Sequence, residues 1–550
     1  METQTRQPSE VGHFFDSVHK AVEVDRTSAA LLTDAGVTVP AVVQELLSRM
    51  PEKVGKENVH AAILDAVDAG IAKYTELHGF KPSASTIDAL LQNVANSVKP
   101  LKELGVNARL DAATSAHHDQ LSLDPAVVVV SIMQMFEESI PFATYLPTDT
   151  KSNEARLAII THIARSNFGE YLEGASLNGV AGGGQYLESE RILVLSTIGG
   201  AGPLAGTVTA KSTGAVAGDN PALPLLRGRS WVAINGLPAA REAENISGSG
   251  AQAISGSTEI AGTSYAITGT VNNSTGVFSV SSSPALPAGT IVEAYAYVDF
   301  EVGPQYAPKI GAQADIYKLY AHASRGIVEN TIDAYTQFMG EVSTDARGQG
   351  LLAMRRQDAQ ERHYRVLNKM LRVAARSVAT WAYNWTVFGV EKSRAEVWAD
   401  GLLPIVAGLS QDMANRNTNH GISHLYVTGQ LAAQIRGLPS TIFEPSGITD
   451  RPGIYRMGRL AGLYEVYYTP RGLTESVGAG TAQILCIGRS ADVARNPIVM
   501  GDAVPPVFLP LAMNQTLKYE DGFYTRRFSN LNPHLPSAQS AALINVTGLA

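Results

Sequence analysis

Apolar and polar positions repeat with different periods along this chain, and the longest regular stretch is Leu351–Phe388. It contains no Gly and no Pro, so nothing in it breaks a helix. From Tyr364 onward apolar residues recur in three-four steps: Tyr364, Leu367, Leu371, Ala374, Val378, Trp381, Trp385 and Phe388. That spacing sets them on one side of a helix. Arg355, Arg356, Arg362, Arg365, Lys369, Arg372 and Arg376 fall on the other side, balanced by Asp358 and Glu361. A helix of this span is roughly 55 Å long at about 1.5 Å per residue. Leu367, Leu371, Val378, Trp381 and Trp385 are expected to pack it, and the Arg-rich side to face solvent or a neighbouring subunit. Gly348 and Gly350 suggest a bend into the helix. Periodicity alone fits both the spine of an extended subunit and the core helix of a large α/β enzyme.

Around this stretch the patterns change several times. Residues 1–125 read as short polar helices, with helical spacing at Ala61–Val67 and Ile87–Val94 and breakers at Pro51, Gly79, Pro82 and Pro100. Few aromatics there suggest an arm rather than a packed domain. Strands are expected at Leu157–Arg165, Thr290–Val302, Ala314–Ala323, His424–Val427, Leu460–Thr469 and Gln483–Ile487, with a last strand in Tyr524–Leu549. Helices are expected at Ile327–Phe338, Ala399–Arg416 (interrupted by Gly401 and Pro404) and Leu431–Gly437. Between Thr207 and Pro287, Gly, Ser, Thr, Ala and Asn dominate, with short alternating runs such as Gly276–Val280. This is the pattern of a small all-β module, placed here as an insertion in a long hairpin.

Composition narrows the classes. A length of 550 residues suggests about three or four domain-sized units. A net charge of −8 argues against wholesale nucleic-acid binding through a basic surface. One cysteine, Cys486 in the apolar run Ile484–Ile487, excludes an intrachain disulfide and suits a buried strand residue in a reducing cytosol. The polar N-terminus does not read as a signal peptide. Ala126–Met133, the most apolar early run, is far too short to span a bilayer.

Candidate chemistry is sparse. The chain has no Gly-Lys-Ser/Thr phosphate loop and no nucleophile elbow. Gly199-Gly200-Ala201-Gly202 lacks a suitably placed acid, and Pro203 spoils the helix start that a dinucleotide site needs. His420 and His424 straddle Gly421 in a loop leading into a strand, a poor frame for a metal. His117 and His118 adjoin and diverge. Carboxylates are scattered, and none pairs in a clearly apolar setting. No catalytic residue, cofactor or metal is expected, and an enzyme of this length would usually show one site.

The run Tyr317–Asn330 (YKLYAHASRGIVEN) reads as a strand ending in Ala323-Ser324-Arg325, then apolar residues, an acid and a helix. It resembles the entry to the spine helix of tailed-bacteriophage major capsid proteins, which have the Hong Kong 97-type shell fold. The order of later elements is similar. Ile422–Thr428 with Gln430–Leu438 resembles the A-domain strand and helix of that family, and Gly458–Tyr467 its glycine turn and strand. Ala482–Ala494 resembles the following strand, and Phe523–Val546 the closing P-domain strand. Strands 154–165 and 290–302 resemble the two limbs of the E-loop. The likeness covers about 154–206 and 288–550. The module at 207–287 and the long N-terminal region depart from the minimal fold.

The resemblance implies an α+β chain divided as follows: a helical N-terminal region at 1–125, the arm's end and first E-loop limb at 126–206, and the inserted β domain at 207–287. The return limb at 288–310, a P-domain with its spine helix at 311–398, an A-domain at 399–500 and a closing strand and tail at 501–550 complete it. It further implies a non-enzymatic, self-assembling homo-oligomer of hexamers and pentamers. Such a shell encloses double-stranded DNA without sequence-specific binding. Portal, scaffold and decoration or cement proteins are the implied partners, with no membrane, in a virion capsid made in the host bacterial cytoplasm. Arg165, Phe168 and Tyr171 are the implied E-loop contacts between subunits. An acidic surface suits a wall to which packaged DNA does not adhere. An encapsulin-type nanocompartment shell, a cytosolic enzyme with an added β module, and an adhesin or tail component remain alternatives.

Overall fold

A computed structural model describes residues 41–48, 53–54, 57–103, 132–133, 135–136, 138–149, 152–196, 204–209, 222–244, 250–337, 340–341, 346–384, 386–387, 390–510 and 518–549. These divide into two compact units, one of residues up to Ile159 and from Ile316 onward, the other Ile160–Asp315. Trp385, Phe388, His117, His118, the run 199–202 and most of Ala126–Met133 lie outside the described residues.

The first unit begins with helices α1 (Ala41–Ser48), α2 (Val59–His78) and α3 (Ala84–Glu103). Pro82 and the Ser83 hydroxyl, which accepts from the Thr86 amide at 3.3 Å, set the start of α3. The expected arm is not what these helices form. Val42, Leu46, Ile63, Val67, Leu90, Leu91 and Val94 are buried in one core with Phe136, Phe142, Val366, Met370 and Tyr426. Their apolar faces carry Val, Ile and Leu rather than aromatics, which is enough to fill a helix–sheet interface. Strand β1 (Ala143–Tyr145) follows, then β2 (Glu154–Ala164).

The second unit is built on β3 (Glu190–Ser196), β4 (Leu204–Thr207), β5 (Trp231–Ile234), β6 (Leu237–Glu242), β7 (Ala251–Ile260), β8 (Thr263–Asn272), β9 (Val277–Ser283) and β10 (Val292–Tyr297). They form one antiparallel sheet in the order β3-β10-β5-β6-β7-β8-β9-β4. Gly206 on β4 lies against Leu193 and Leu195 of β3, so the two ends of the sheet meet. Val232, Ile254, Ile267, Val271, Phe278, Val280 and Ala294 fill the interior. The sheet thus reaches beyond 207–287 at both ends, because β3 and β10 are integral to it. The strand expected at Thr290–Val302 is β10; it pairs with β3 and β5, not with β2.

The partner of β2 is β11 (Ile310–Tyr320), in a two-stranded ribbon. Its base in the first unit, Ala155, Leu157, Ile159 and Leu319, packs on Val499, Ala503 and Phe528. Strand β12 (His322–Thr331) comes next, so Ala323-Ser324-Arg325 lies inside a strand and not at its end. Its residues pair from His322↔Arg527 to Thr331↔Lys518, which keeps Ile327–Thr331 extended. The helix expected from Ile327 is only α4 (Ile332–Gln337).

The long helix α5 is Ala346–Ala374. It runs through Gly348 and Gly350 and stops well before Phe388. Its last turn tightens, with Arg376 N–H bonding Val373 C=O at 3.1 Å and Ser377 N–H bonding Ala374 C=O at 3.0 Å. Val378–Ala382 is then strand β13, paired in parallel with β21 (Ala541–Thr547). Between these strands come α6 (Leu403–Asn417), β14 (Ile422–Val427), α7 (Gly429–Arg436), β15 (Phe443–Pro445), β16 (Tyr455–Leu460), β17 (Tyr464–Tyr468), β18 (Thr481–Gly488), β19 (Ile498–Pro510) and β20 (Lys518–Leu531). The expected strand 460–469 is interrupted by Ala461 and Gly462, both at positive φ, which turn β16 into β17. A turn of π-helix at Val397–Leu402 precedes α6, and Pro404 sits in its first turn. Here Gly401 matters: a Cβ would come within 2.7 Å of the Trp381 indole nitrogen.

Two sheets result. One has the order β12-β20-β19-β1; the other, mixed, runs β13-β21-β18-β14-β17-β16-β15. Residues of α5 are buried in one core with residues of both sheets.

Candidate functional site: a buried ion cluster, a ring cluster and open strands

Helix α5 presents Asp358 and Arg362 one turn apart. Strands β19 and β20 bring up Asp502, Arg527 and Ser529, and the turn before β1 brings Glu138. Arg362 Nη2 lies 2.9 Å from Asp502 Oδ1, Nη1 3.3 Å from Glu138 Oε2, and Nε donates to Ser529 Oγ at 3.1 Å. Arg527 Nη1 donates to Glu138 Oε2 at 2.7 Å, and its Nη2 binds Asp358. Burial raises the Glu138 carboxyl above its ordinary range; Arg527 and Arg362 pull it back, and Asp358 and Asp502 push it up again. Asp358 is likewise raised by burial. Burial alone would lower the Arg362 guanidinium, but Asp502, Tyr145 and Glu138 outweigh it and hold it charged. The expectation that Arg362 faces solvent and that carboxylates do not pair is therefore corrected. The partners come from segments that no local pattern connects.

The packed face of α5 is turned accordingly. Val366, Leu367, Met370 and Ala374 are its buried apolar residues, and Leu371 is half-buried beside them. Of the other packing residues expected, Trp381 is buried, but on β13 against Tyr383 and Trp398, and Val378 is 49% exposed on the same strand. Three residues apart is one face of a helix and opposite faces of a strand, which separates the two.

Beside the ion cluster lies a cluster of rings. Tyr426 on β14 and Tyr467 on β17 are cross-strand neighbours and stack with centroids 5.2 Å apart. His78 Nδ1 is 3.0 Å from the Tyr467 hydroxyl, and His363 Nε2 is 3.2 Å from the Tyr426 hydroxyl. His424 Nδ1 meets Ser423 Oγ at 2.8 Å. Burial lowers these imidazoles to about 3 for His78, about 4 for His363 and about 3 for His424. They are neutral hydrogen-bonding groups. His420 lies apart in the loop before β14, with Nδ1 3.3 Å from Asn419 Oδ1. Cys486 is buried on β18, and burial pushes its thiol up, away from reactivity. Among the described residues no group of three or more His, Cys, Asp or Glu is placed to hold a metal ion. Among them too, no helix is long and apolar enough to cross a membrane.

In the second unit Phe168 and Tyr171 are core residues, packed with Tyr186, Leu223 and Val298. Tyr171 donates to Ala181 C=O at 2.6 Å. Both are engaged within their own chain, so neither is open to a neighbour as expected. Arg165 is exposed, and its N–H bonds Lys309 C=O at 2.7 Å. The open apolar side chains of this loop are Leu172, Val180 and Leu187. In the first unit, Ile316 on β11 is 65% exposed and Ile327 on the edge strand β12 is 58% exposed. Tyr320 is also open.

No family profile and no curated protein matches the chain. Among solved structures, the chain is similar to the mature capsid of bacteriophage PhiM1, with 12% identity and a TM-score of 0.28 over 44% of this chain and 76% of that one. It is similar to a chain from Mycobacterium phage Bobi at 13% identity and a TM-score of 0.29, covering 61% and 93%. It is also similar to the holo-SrpI encapsulin of Synechococcus elongatus PCC 7942 at 11% identity and a TM-score of 0.28, covering 43% and 78%.

Proposed function

We propose that this chain is a structural, non-catalytic subunit of a closed protein shell, and within that class the major capsid protein of a tailed bacteriophage. The observation that carries the reading is the pair of open strands in the first unit, β11 with Ile316 and Tyr320 outward and β12 with Ile327 outward. A two-stranded ribbon is marginal alone in water, and an unpaired edge with open apolar residues is a template for another chain. A second copy covers such strands when each subunit offers the same surface. The ion cluster supports the reading as well: its charges are spent on fixing α5 to the sheet and not on a substrate. In this reading α5 is the spine of the P-domain, the β2–β11 ribbon is the E-loop, and the sheet containing β14 is the A-domain. Arg165, Leu172, Val180 and Leu187 are its contacts to neighbours. Hexamers and pentamers of the shell enclose double-stranded DNA, with portal, scaffold and decoration proteins as further partners.

Electron microscopy and sedimentation of the purified chain test this. Closed particles are expected from the wild type. Ile316→Glu and Ile327→Asp are expected to keep the circular dichroism of the wild type and to remain small. A stable monomer at high concentration, or particles from both variants, would refute the proposal.

A further inference from the structure

A cavity of about 540 Å³ opens in the first unit between α2, the turn at 138–139, α5 and the loop 451–455. Two guanidinium groups line it, Arg356 of α5 and Arg451 of the loop. Neither makes a hydrogen bond or ion pair among the described residues. Arg451 is close enough to oppose protonation of His78, which lines the same cavity. Lys73 and Glu76 offset one another in charge on the α2 wall, and Glu138 is taken up by Arg362 and Arg527. The cavity is therefore left with an excess of positive charge. Its floor holds the buried Ser139 hydroxyl, which lies near the Tyr74 and Tyr145 hydroxyls but has no hydrogen bond of acceptable geometry.

The rest of the lining is flat. His78, His363 and Tyr467 contribute rings, with the His78 and Tyr467 centroids 5.9 Å apart. Unpaired guanidinium forks match the oxygens of a phosphate, and an orphan buried hydroxyl adds a donor or acceptor. Aromatic walls favour a planar ring beside that charge. The volume falls in the range of small-molecule sites, about 300–1,000 Å³. A bare phosphate leaves most of it empty.

We propose that this cavity binds a phosphomonoester carried on a flat ring system, of the size of a nucleoside monophosphate. The phosphate sits on Arg356 and Arg451 and the ring lies against the histidine and tyrosine wall. The site belongs to one chain, so it stands or falls independently of shell assembly.

Calorimetric titration of the full chain with adenosine monophosphate tests it, with inorganic phosphate and adenosine as half-probes. Saturable binding of the nucleotide is expected, at least about tenfold tighter than either half. Arg356→Gln and Arg451→Gln are each expected to weaken it about tenfold or more, the loss of one charge-assisted contact. The melting temperature without ligand should not move, because neither side chain holds a partner. Should a Gln variant fail to fold, Arg356→Lys and Arg451→Lys keep the charge and lose the fork, and weaker binding is again expected. Absence of saturable binding, inorganic phosphate binding as tightly as the nucleotide, or unchanged affinity in the arginine variants would overturn the assignment.

Discussion

Replacing Arg362 by Met tests whether the buried ion cluster fixes α5 to its sheet. The substitution keeps an unbranched apolar stem and removes the guanidinium. Two carboxylates, Asp502 at 2.9 Å and Glu138 at 3.3 Å, lose that cation. Arg527 still serves Glu138 and Asp358, while Asp502 is left as a buried carboxylate with no ion-pair partner among the described residues. Breaking one side of a buried pair costs about 3–5 kcal/mol, a shift of roughly 10²–10⁴ in the unfolding equilibrium at 1.4 kcal/mol per decade. Denaturant titration followed by tryptophan fluorescence measures the loss, in a Trp231→Phe background that silences the second unit and leaves Trp381, Trp385 and Trp398. Adding Asp502→Asn should restore part of the loss at neutral pH. A deficit under about 1 kcal/mol, or no recovery on adding Asp502→Asn, refutes the reasoning.

Two further perturbations address other parts of the chain. The folded-state pKa values of His78, His363 and His424 are depressed, so their stabilising contribution is whole above about pH 6.5 and is lost as pH falls towards about 4. The loss is about 1.4 kcal/mol per pH unit for each group. His363→Gln, which keeps a donor for Tyr426, should reduce the acid slope of the denaturation midpoint, and an unchanged slope counts against the ring cluster as its source. For the second unit, removing 167–308 behind a short linker should leave a soluble, folded first unit, because Arg165 N–H and Lys309 C=O lie 2.7 Å apart. Removing only 207–287 strands β3 and β10 without their sheet and should give aggregate; light scattering of the two deletions decides, and the reverse outcome sinks the unit boundary.

What the sequence revealed depended on how local the cause was. Strands β14 and β18 hold the apolar runs Leu425–Val427 and Ile484–Ile487, buried on both faces, and they read directly. Helix α6 was legible with its early irregularity, since Gly401 and Pro404 cause it locally. The end of α5 was not. Three-four spacing continues through Val378 and Trp381, and what makes them a strand is β21, far along the chain. Arg362 looked like a solvent residue for the same reason: its anions come from residues 138 and 502. The resemblance makes 154–165 and 290–302 two limbs of one loop, and only the pairing of β10 within the second sheet releases β2 to β11. The rings of that cluster sit on four separate elements, α2, α5, β14 and β17, and no spacing rule joins them.

The position of β21 between β13 and β18 has a consequence for synthesis. At roughly 5–20 residues per second, the ribosome takes about 10–30 s to proceed from β13 to β21. Throughout that interval β13 has no strand to pair with, and the near edge of β18 is bare from the time that strand is made. The sheet closes only when Ala541–Thr547 clears the exit tunnel. Nascent chains crowded on one message therefore cannot present the finished sheet to one another before that strand is out.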